Sequence, residues 1–262
     1  MKSRTLPVKN VARLSAAGDA LINRDYGMPG MGLISAPTGY GKTTSAAWFV
    51  NQCHGIYIRA LRLWSPKTML TTLGRELDLE VKGHNNGDMT EMIIQRLAET
   101  CRPLFVDEAD YVIDSVRLSD TLRDIHDLST VPVILIGKQH IKRKIKDEQI
   151  TGRIAQWVEF KGADMEDARI LADGLCEIKV EDDLLERLHR EAAPKGKGKE
   201  ILGGAEIRRI VIGLGQIEQF AKVRGMKSIG LSNWTRGNEF FLGQAATPDS
   251  KGGAKVAKIG AG

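Results

Sequence analysis

Short runs of apolar residues recur along the first part of the chain and predict its strands. Each run is apolar at both odd and even positions, which is typical of strands buried on both faces, as in a parallel sheet. The predicted strands are Met31–Ser35, Gly55–Arg59, Pro103–Val106, Val131–Ile136 and, last, Trp157–Phe160.

Segments with apolar residues at helical spacing lie between these runs. They predict helices at 11–26, 43–53, 66–77, 89–100 and 116–128. Strands alternating with helices indicate a three-layer α/β fold around a parallel sheet. After Phe160 the pattern indicates helices only, at 165–175, 182–191 and 205–223, so we place a domain boundary near Lys161.

These patterns divide the chain into four parts. We predict an N-terminal helix and linker at 1–28, an α/β domain at 29–161, a small helical domain at 162–245 and a disordered basic tail at 246–262. The tail, like the Pro-Lys-Gly-Lys-Gly-Lys stretch at 194–199, is too polar and Gly-rich to bury a core.

Composition and charge narrow the class of protein. The 262 residues are 42% hydrophobic, and 38 basic against 33 acidic residues give a net charge of +5, compatible with a nucleic-acid partner. The three cysteines form no CxxC pair, which argues against a disulfide framework or a zinc site. No signal sequence or membrane span is recognisable, so we expect a cytoplasmic protein without a membrane partner.

A phosphate-binding loop is predicted directly after the first strand. Its glycines allow a tight backbone around an anion, Lys42 supplies positive charge, and Thr43 supplies a hydroxyl for magnesium at the start of a helix. Ala36 stands where the usual motif has its first glycine. The predicted nucleotide-binding residues of the loop are Ala36, Pro37, Thr38, Gly39, Tyr40, Gly41, Lys42, Thr43 and Thr44.

Two adjacent carboxylates follow the third strand, at the sheet edge where nucleotides bind in open α/β folds. In this Walker B pattern, Asp107 would hold magnesium and Glu108 would polarise the water that attacks the γ-phosphate. Acids after a strand also serve as helix N-caps. The letters of residues 107–110 spell a helicase motif, but the expected Ser-Ala-Thr is replaced by Gly137-Lys138-Gln139.

With these motifs the sequence resembles the AAA+ ATPases, which carry a helical lid after the α/β domain. The resemblance implies a sensor 1 residue after the fourth strand, at Lys138 or, preferably, Gln139. It implies a catalytic arginine finger acting on a neighbouring subunit at Arg153, with Arg143 as the alternative, and a sensor 2 arginine at Arg208. The alternative for each of the three arginines is a solvated surface side chain with no contact to the nucleotide.

Over residues 10–225 the sequence also resembles the DNA-transposition ATPases, which include phage Mu transposition protein B. The resemblance implies ATP and Mg²⁺ as cofactors, a helical filament or ring on double-stranded DNA, and a transposase as partner, in a bacterial or phage-infected cytoplasm. The sequence departs from this family at one point. Only about ten residues precede its first helix, where Mu's protein has a DNA-binding appendage.

Two basic clusters are candidates for DNA contacts without base readout. Arg59, Arg62 and Lys67 flank Trp64 after the second strand, and Lys142 and Arg143 belong to a basic segment after the fourth. A solvated helix face is the alternative for the second cluster, since Ile141 and Ile145 would pack inward. Two other functions stay open, a replication accessory such as a helicase loader or initiator, and a nucleotide-switched protein without DNA contact.

Overall fold

The computed structural model describes residues 1–2, 4–194, 204–234 and 240–241. The predicted tail at 246–262 lies outside the described residues, as does the Lys-Gly stretch at 195–199. The predicted helical domain at 162–245 is described only in part.

A five-stranded parallel sheet forms the centre of the molecule, in the order β2–β3–β4–β1–β5. Its strands are β1 Met31–Ala36, β2 Ile56–Arg59, β3 Leu104–Asp107, β4 Val133–Lys138 and β5 Ile154–Glu159. The parallel α/β prediction is confirmed. The fourth strand starts later than predicted because Pro132 has no N–H to donate to the sheet, and it continues to Lys138.

The helices follow the predicted alternation. They are α1 Lys9–Ile22, α2 Lys42–Gln52, α3 Pro66–Glu76, α4 Asn86–Thr100, α5 Asp110–Ile113, α6 Val116–Ser129, α7 Ile141–Lys144, α8 Glu148–Thr151, α9 Met165–Leu175, α10 Asp182–Ala192 and α11 Ile207–Val223. The sequence did not predict α5 and α8, because one turn is too short to show periodicity. Helix α7 was predicted only as the alternative for the second basic cluster. Within the described ranges, no helix is long and apolar enough to cross a bilayer.

The prediction that only helices follow Phe160 was wrong. Strands β6, Lys179–Val180, and β7, Ser228–Ile229, form a small parallel pair beside the last three helices. Strands of two residues cannot show the alternation by which strands are recognised in sequence.

Three hydrophobic clusters organise the packing. One joins the sheet to α3, α4 and α6, and another joins the opposite face of the sheet to α1 and α2. The third is built from α9, α10, α11 and the β6–β7 pair, together with Val8 and Val11 near the N-terminus. This third cluster shows that the N-terminal segment packs on the helices that follow Lys161, and the domain boundary near Lys161 stays a prediction.

The start of α1 joins these parts of the molecule. The Asn10 side chain is buried, donates to the carbonyl oxygens of Lys161 (2.8 Å) and Tyr40 (3.3 Å), and accepts from the Lys161 N–H. The N–H of Lys9 donates to a carboxylate oxygen of Asp167 on α9 at 2.8 Å. Helix α1 therefore connects the loop after β1 to the segment that enters the helical region.

Candidate functional site

A cleft of about 620 Å³ opens at the carboxyl edge of the sheet. The predicted phosphate loop and the ends of β2, β3 and β4 form one wall. The N-terminal segment, α9 and α11 form the other, with apolar side chains from Leu6, Val8, Leu171, Leu175 and Val211. One wall is thus polar and the other largely apolar, an arrangement suited to a ligand with a charged and an uncharged end.

Two glycines shape the loop. Gly39 and Gly41 have φ angles of +91° and +84°, in the left-handed region that favours glycine. The Glu206 carboxylate packs against Gly39 so closely that a Cβ atom there would lie 2.0 Å from Oε1. Ala36, where the motif usually has a glycine, is the buried last residue of β1.

The Lys42 ammonium lies inside the loop. Its Nζ donates to the carbonyl oxygens of Ala36 (2.8 Å) and Pro37 (2.9 Å). Burial lowers the pKa of Lys42, and the negative charges of Asp107 and Glu108 act in the opposite direction. The loop backbone therefore holds a cation where the motif requires one for outer phosphates.

Asp107 lies behind Thr43, and three hydrogen bonds hold its carboxylate. It is 1% exposed, and its Oδ2 accepts from the Thr43 hydroxyl at 2.8 Å and from the Tyr57 hydroxyl at 2.7 Å. Its Oδ1 accepts from the Glu108 N–H at 2.8 Å. Burial, followed by the hydrogen bond to Asp107, raises the pKa of Tyr57, so this phenol stays protonated as a donor.

Glu108 is held much less firmly. Its φ is +52°, a left-handed conformation that is uncommon for a residue with a side chain and is found at functional sites. Its side chain is 29% exposed and its nearest cation is Arg59, with Nη2 3.5 Å from Oε1. The carboxylate therefore faces the cleft with one weak, solvent-exposed ion pair.

The residues predicted as sensors differ in whether they line the cleft. Lys138, the last residue of β4, lines the cleft, whereas Gln139 is exposed and does not line it. The buried Asp110 accepts from the Lys138 N–H at 2.8 Å and so fixes the end of β4. Arg208 also lines the cleft, and its N–H donates to the Gly39 carbonyl at 3.0 Å.

Arg153 lies away from the cleft of its own chain. It directly precedes β5 at the amino edge of the sheet, where it binds Asp127 through two hydrogen bonds, one of 2.6 Å from Nε. This pairing lowers the pKa of Asp127. Arg143 is exposed on α7, with no ion pair among the described residues. The structure thus leaves both arginines as predictions for a finger that reaches another subunit.

The predicted DNA-binding residues lie in two surface regions. Arg62 and Lys67 are exposed beside Arg59, while Trp64 is half-buried against the core. In the other region the Lys142 ammonium lies 5.3 Å from the centre of the Trp157 ring, and Ile141 and Ile145 pack inward, so a solvated helix face describes much of this segment.

The residues present fit a magnesium ion. Thr43 and Asp107 offer hard oxygen atoms next to the loop, and Mg²⁺ in nucleotide sites is held by one or two such side chains with phosphates and waters.

Comparisons with known proteins agree with this geometry. Residues 26–145 match the AAA domain family. Similar solved structures include Aeropyrum pernix ORC1 in complex with DNA (TM-score 0.60, 15% identity, covering 84% of this chain and 61% of ORC1). Another is the ADP form of Aeropyrum pernix ORC2 (TM-score 0.63, 17% identity, covering 87% of this chain and 68% of ORC2). A third is the Thermotoga maritima RuvB Holliday junction branch migration motor (TM-score 0.56, 16% identity, covering 86% of this chain and 66% of RuvB).

These findings show that residues 26–145 match an AAA domain model and that the chain has the AAA+ fold. At such low identity, the likeness to the solved structures shows the fold alone. The chain spans less than two thirds of the length of the ORC1 and RuvB chains. No curated protein matched by sequence.

Three residues of the site were missed by sequence reasoning. Tyr57 binds Asp107, Asp110 binds the Lys138 N–H, and Asn10 binds the Tyr40 carbonyl. A signal existed for Tyr57, because polar residues alternate with Ile56 and Ile58 along β2. The contacts of Asn10 and Asp110 depend on tertiary packing and leave no pattern in the sequence.

Proposed function

We propose that this chain is a Mg²⁺-dependent ATPase that binds double-stranded DNA as a homo-oligomer. The observation that carries the proposal is that Lys42, Thr43 and Glu108 line one cleft, with the Thr43 hydroxyl 2.8 Å from the buried Asp107 carboxylate. Such a set serves phosphoryl transfer by positioning and charge stabilisation.

Each side chain has a distinct role in the proposed reaction. Lys42 exchanges its loop carbonyls for the β- and γ-phosphates, and the N–H groups at the start of α2 bind phosphate oxygens. Thr43 and Asp107 hold Mg²⁺, which supplies charge neutralisation on the phosphates when bound. Glu108 accepts a hydrogen bond from the attacking water and orients it towards the γ-phosphate.

Nucleotide binding is tested with a fluorescent ATP analogue and Lys42→Ala, beside Lys82→Ala, an exposed lysine outside the cleft. Loss of a charge-assisted contact worth about 1.5–3 kcal/mol predicts a drop in affinity of roughly 10- to 100-fold for Lys42→Ala. Unchanged binding by Lys82→Ala is expected. Equal affinities for the two variants would refute the phosphate-loop assignment.

The DNA part of the proposal relies on Arg59, which lines the cleft at the end of β2, and on the exposed Arg62 and Lys67, which follow it in the chain. A backbone contact predicts affinity for duplex DNA that is retained at about 50 mM salt and falls steeply by about 200 mM. Removing Arg62 or Lys67 lowers the salt slope by about one each. Absence of duplex DNA binding even at about 50 mM salt would favour the protein without DNA contact. The double variant Lys142→Ala, Arg143→Ala tests the second cluster in the same way.

Arg59 links the two halves of the proposal. A DNA phosphate that attracts Arg59 would remove the ion pair at Glu108, 3.5 Å away, and so free this carboxylate for water. The proposal therefore includes DNA-stimulated hydrolysis. Identical turnover with and without duplex DNA would contradict this link.

A second subunit is proposed to complete the site through Arg153, with Arg143 as the alternative. Support comes from the position of Arg153 at the sheet edge opposite the chain's own loop, from which it cannot reach its own phosphates. Mixing Arg153→Ala with Lys42→Ala restores some hydrolysis if the finger acts between subunits, since one interface then combines intact partners. The same mixture made with Arg143→Ala distinguishes the two arginines.

Two cellular roles are proposed for this activity. One is target selection and activation of a transposase, on the resemblance to the transposition ATPases. The other is a replication accessory such as an initiator or helicase loader, favoured by the fold shared with ORC1 in complex with DNA. Electron microscopy of the ATP- and DNA-bound protein tests assembly, and binding to a transposase or to a replicative helicase separates the roles.

A further inference from the structure

Strand β2 presents two polar side chains to the Walker B acids on the neighbouring strand. Ile56 and Ile58 point into the cluster beneath α3 and α4, whereas Tyr57 packs against the cluster on the opposite face. Within that face Tyr57 reaches Asp107, with 2.7 Å between its hydroxyl oxygen and Oδ2. Arg59, two residues later, reaches Glu108.

The Tyr57 hydroxyl is placed to control the direction of the Asp107 carboxylate. Oδ2 accepts from Thr43 and Tyr57 together, while Oδ1 accepts from the Glu108 N–H. Of these donors, Thr43 is the residue that also ligates magnesium in the proposed function, so its geometry depends on the metal. Tyr57 is half-buried by its ring packing, and its bond does not depend on a ligand.

We propose that Tyr57 is a positioning residue for magnesium, holding the buried Asp107 carboxylate in the orientation that the metal and its waters require. The inference rests on the proposed function, since it needs Mg-nucleotide to bind at this cleft. Outer partners that orient a metal-binding carboxylate typically contribute about 10- to 100-fold to metal affinity. Tyr57 contacts neither substrate nor phosphate in this arrangement.

A packing role alone would have a different signature. If Tyr57 only fills space between β2 and α2, losing its hydroxyl changes thermal stability and leaves the effect of magnesium on nucleotide affinity unchanged. If it orients Asp107, Mg-free nucleotide affinity is preserved and the gain on adding Mg²⁺ is reduced. The ratio of dissociation constants in EDTA and in Mg²⁺ separates these cases.

The experiment compares Tyr57→Phe with Tyr111→Phe in the full chain. Tyr111 is also half-buried near the sheet edge, so the control loses the same hydroxyl without touching Asp107. A fluorescent ATP analogue is titrated in EDTA and in millimolar Mg²⁺, and the bound metal is followed by electron paramagnetic resonance of Mn²⁺. Thermal denaturation of each variant reports the structural effect.

For Tyr57→Phe we expect unchanged affinity in EDTA, a magnesium enhancement reduced by about 10-fold, and an altered Mn²⁺ spectrum. Wild-type behaviour of Tyr57→Phe, or an equal loss of affinity with and without the metal, would overturn the proposal. A wild-type protein that binds ATP with no magnesium enhancement would overturn the proposed function and this inference together. That result differs visibly from failure of the variant alone.

Discussion

The cleft has a floor and a rim that are held in opposite ways. The floor consists of Thr43 with Asp107 and Tyr57 behind it, and the rim consists of Arg59, Glu108, Lys138 and Arg208. In the floor, two hydroxyls donate to one buried carboxylate at 2.7 and 2.8 Å. In the rim, the Arg59–Glu108 pair is 3.5 Å long, with Arg59 60% exposed. A preorganised floor suits a fixed metal, and a weakly bonded rim can rearrange when ligands arrive.

The strongest test of the rim is Glu108→Gln. Loss of a general base lowers turnover on the order of 10²- to 10⁴-fold, whereas nucleotide affinity is unchanged because the floor is intact. Single-turnover ATP hydrolysis and nucleotide titration measure the two effects. Glu76→Gln, on the exposed face of α3, serves as control, and loss of ATP binding by Glu108→Gln would show that Glu108 belongs to the floor.

Thr43→Val tests the floor, since valine keeps the shape and removes the hydroxyl. We expect the magnesium-dependent part of the nucleotide affinity to fall about 10- to 100-fold, because one oxygen ligand and one donor to Asp107 are lost together. Titration with and without Mg²⁺ measures this change. Thr72→Val is the control, because the Thr72 hydroxyl donates to the Thr68 carbonyl within α3, outside the cleft. Equal effects for both variants would contradict a specific metal role for Thr43.

Asn10→Ala tests the support behind the floor. It leaves buried groups of Lys161 and Tyr40 without their partners, at about 1–3 kcal/mol, so the melting temperature falls by roughly 2–4 °C for each kcal/mol lost. Thermal denaturation checks this. Asn23→Ala, which removes an exposed bond to the Asp19 carbonyl, is expected to have a much smaller effect. Equal melting temperatures for the two variants would show that Asn10 does not stabilise the loop.

Arg59→Gln should have the smallest effect and the opposite sign. An exposed ion pair contributes about 0.2–1 kcal/mol, so its removal releases Glu108 and raises DNA-free turnover by no more than about fivefold. The further gain on adding DNA should become smaller. Steady-state hydrolysis with and without duplex DNA measures both, with Arg75→Gln as control. A fall in DNA-free turnover would mean that Arg59 assists the reaction directly.

The contrast between floor and rim also marks how far the sequence could predict the site. Lys42, Thr43 and Asp107 could be predicted because their motifs occur at recognisable places relative to strands, a loop and a helix. The buried parallel strands could be predicted from their apolar runs. Tyr57 was missed because its partner is on another strand. Gln139 was preferred to Lys138 because a lysine so near the γ-phosphate is unusual, but the side chain that lines the cleft is that of Lys138.

The hydrogen bond from the Arg208 N–H to the Gly39 carbonyl connects the phosphate loop to the start of helix α11. Helix α11 starts at this bond and runs for 17 residues, so its far end lies about 25 Å away at 1.5 Å per residue. A rotation of about 10° at Gly39, caused by a phosphate drawing the loop backbone inward, would move that end by roughly 4 Å over this length. In the proposed homo-oligomer, such a displacement would carry a change at the nucleotide to the surface that faces a neighbouring subunit.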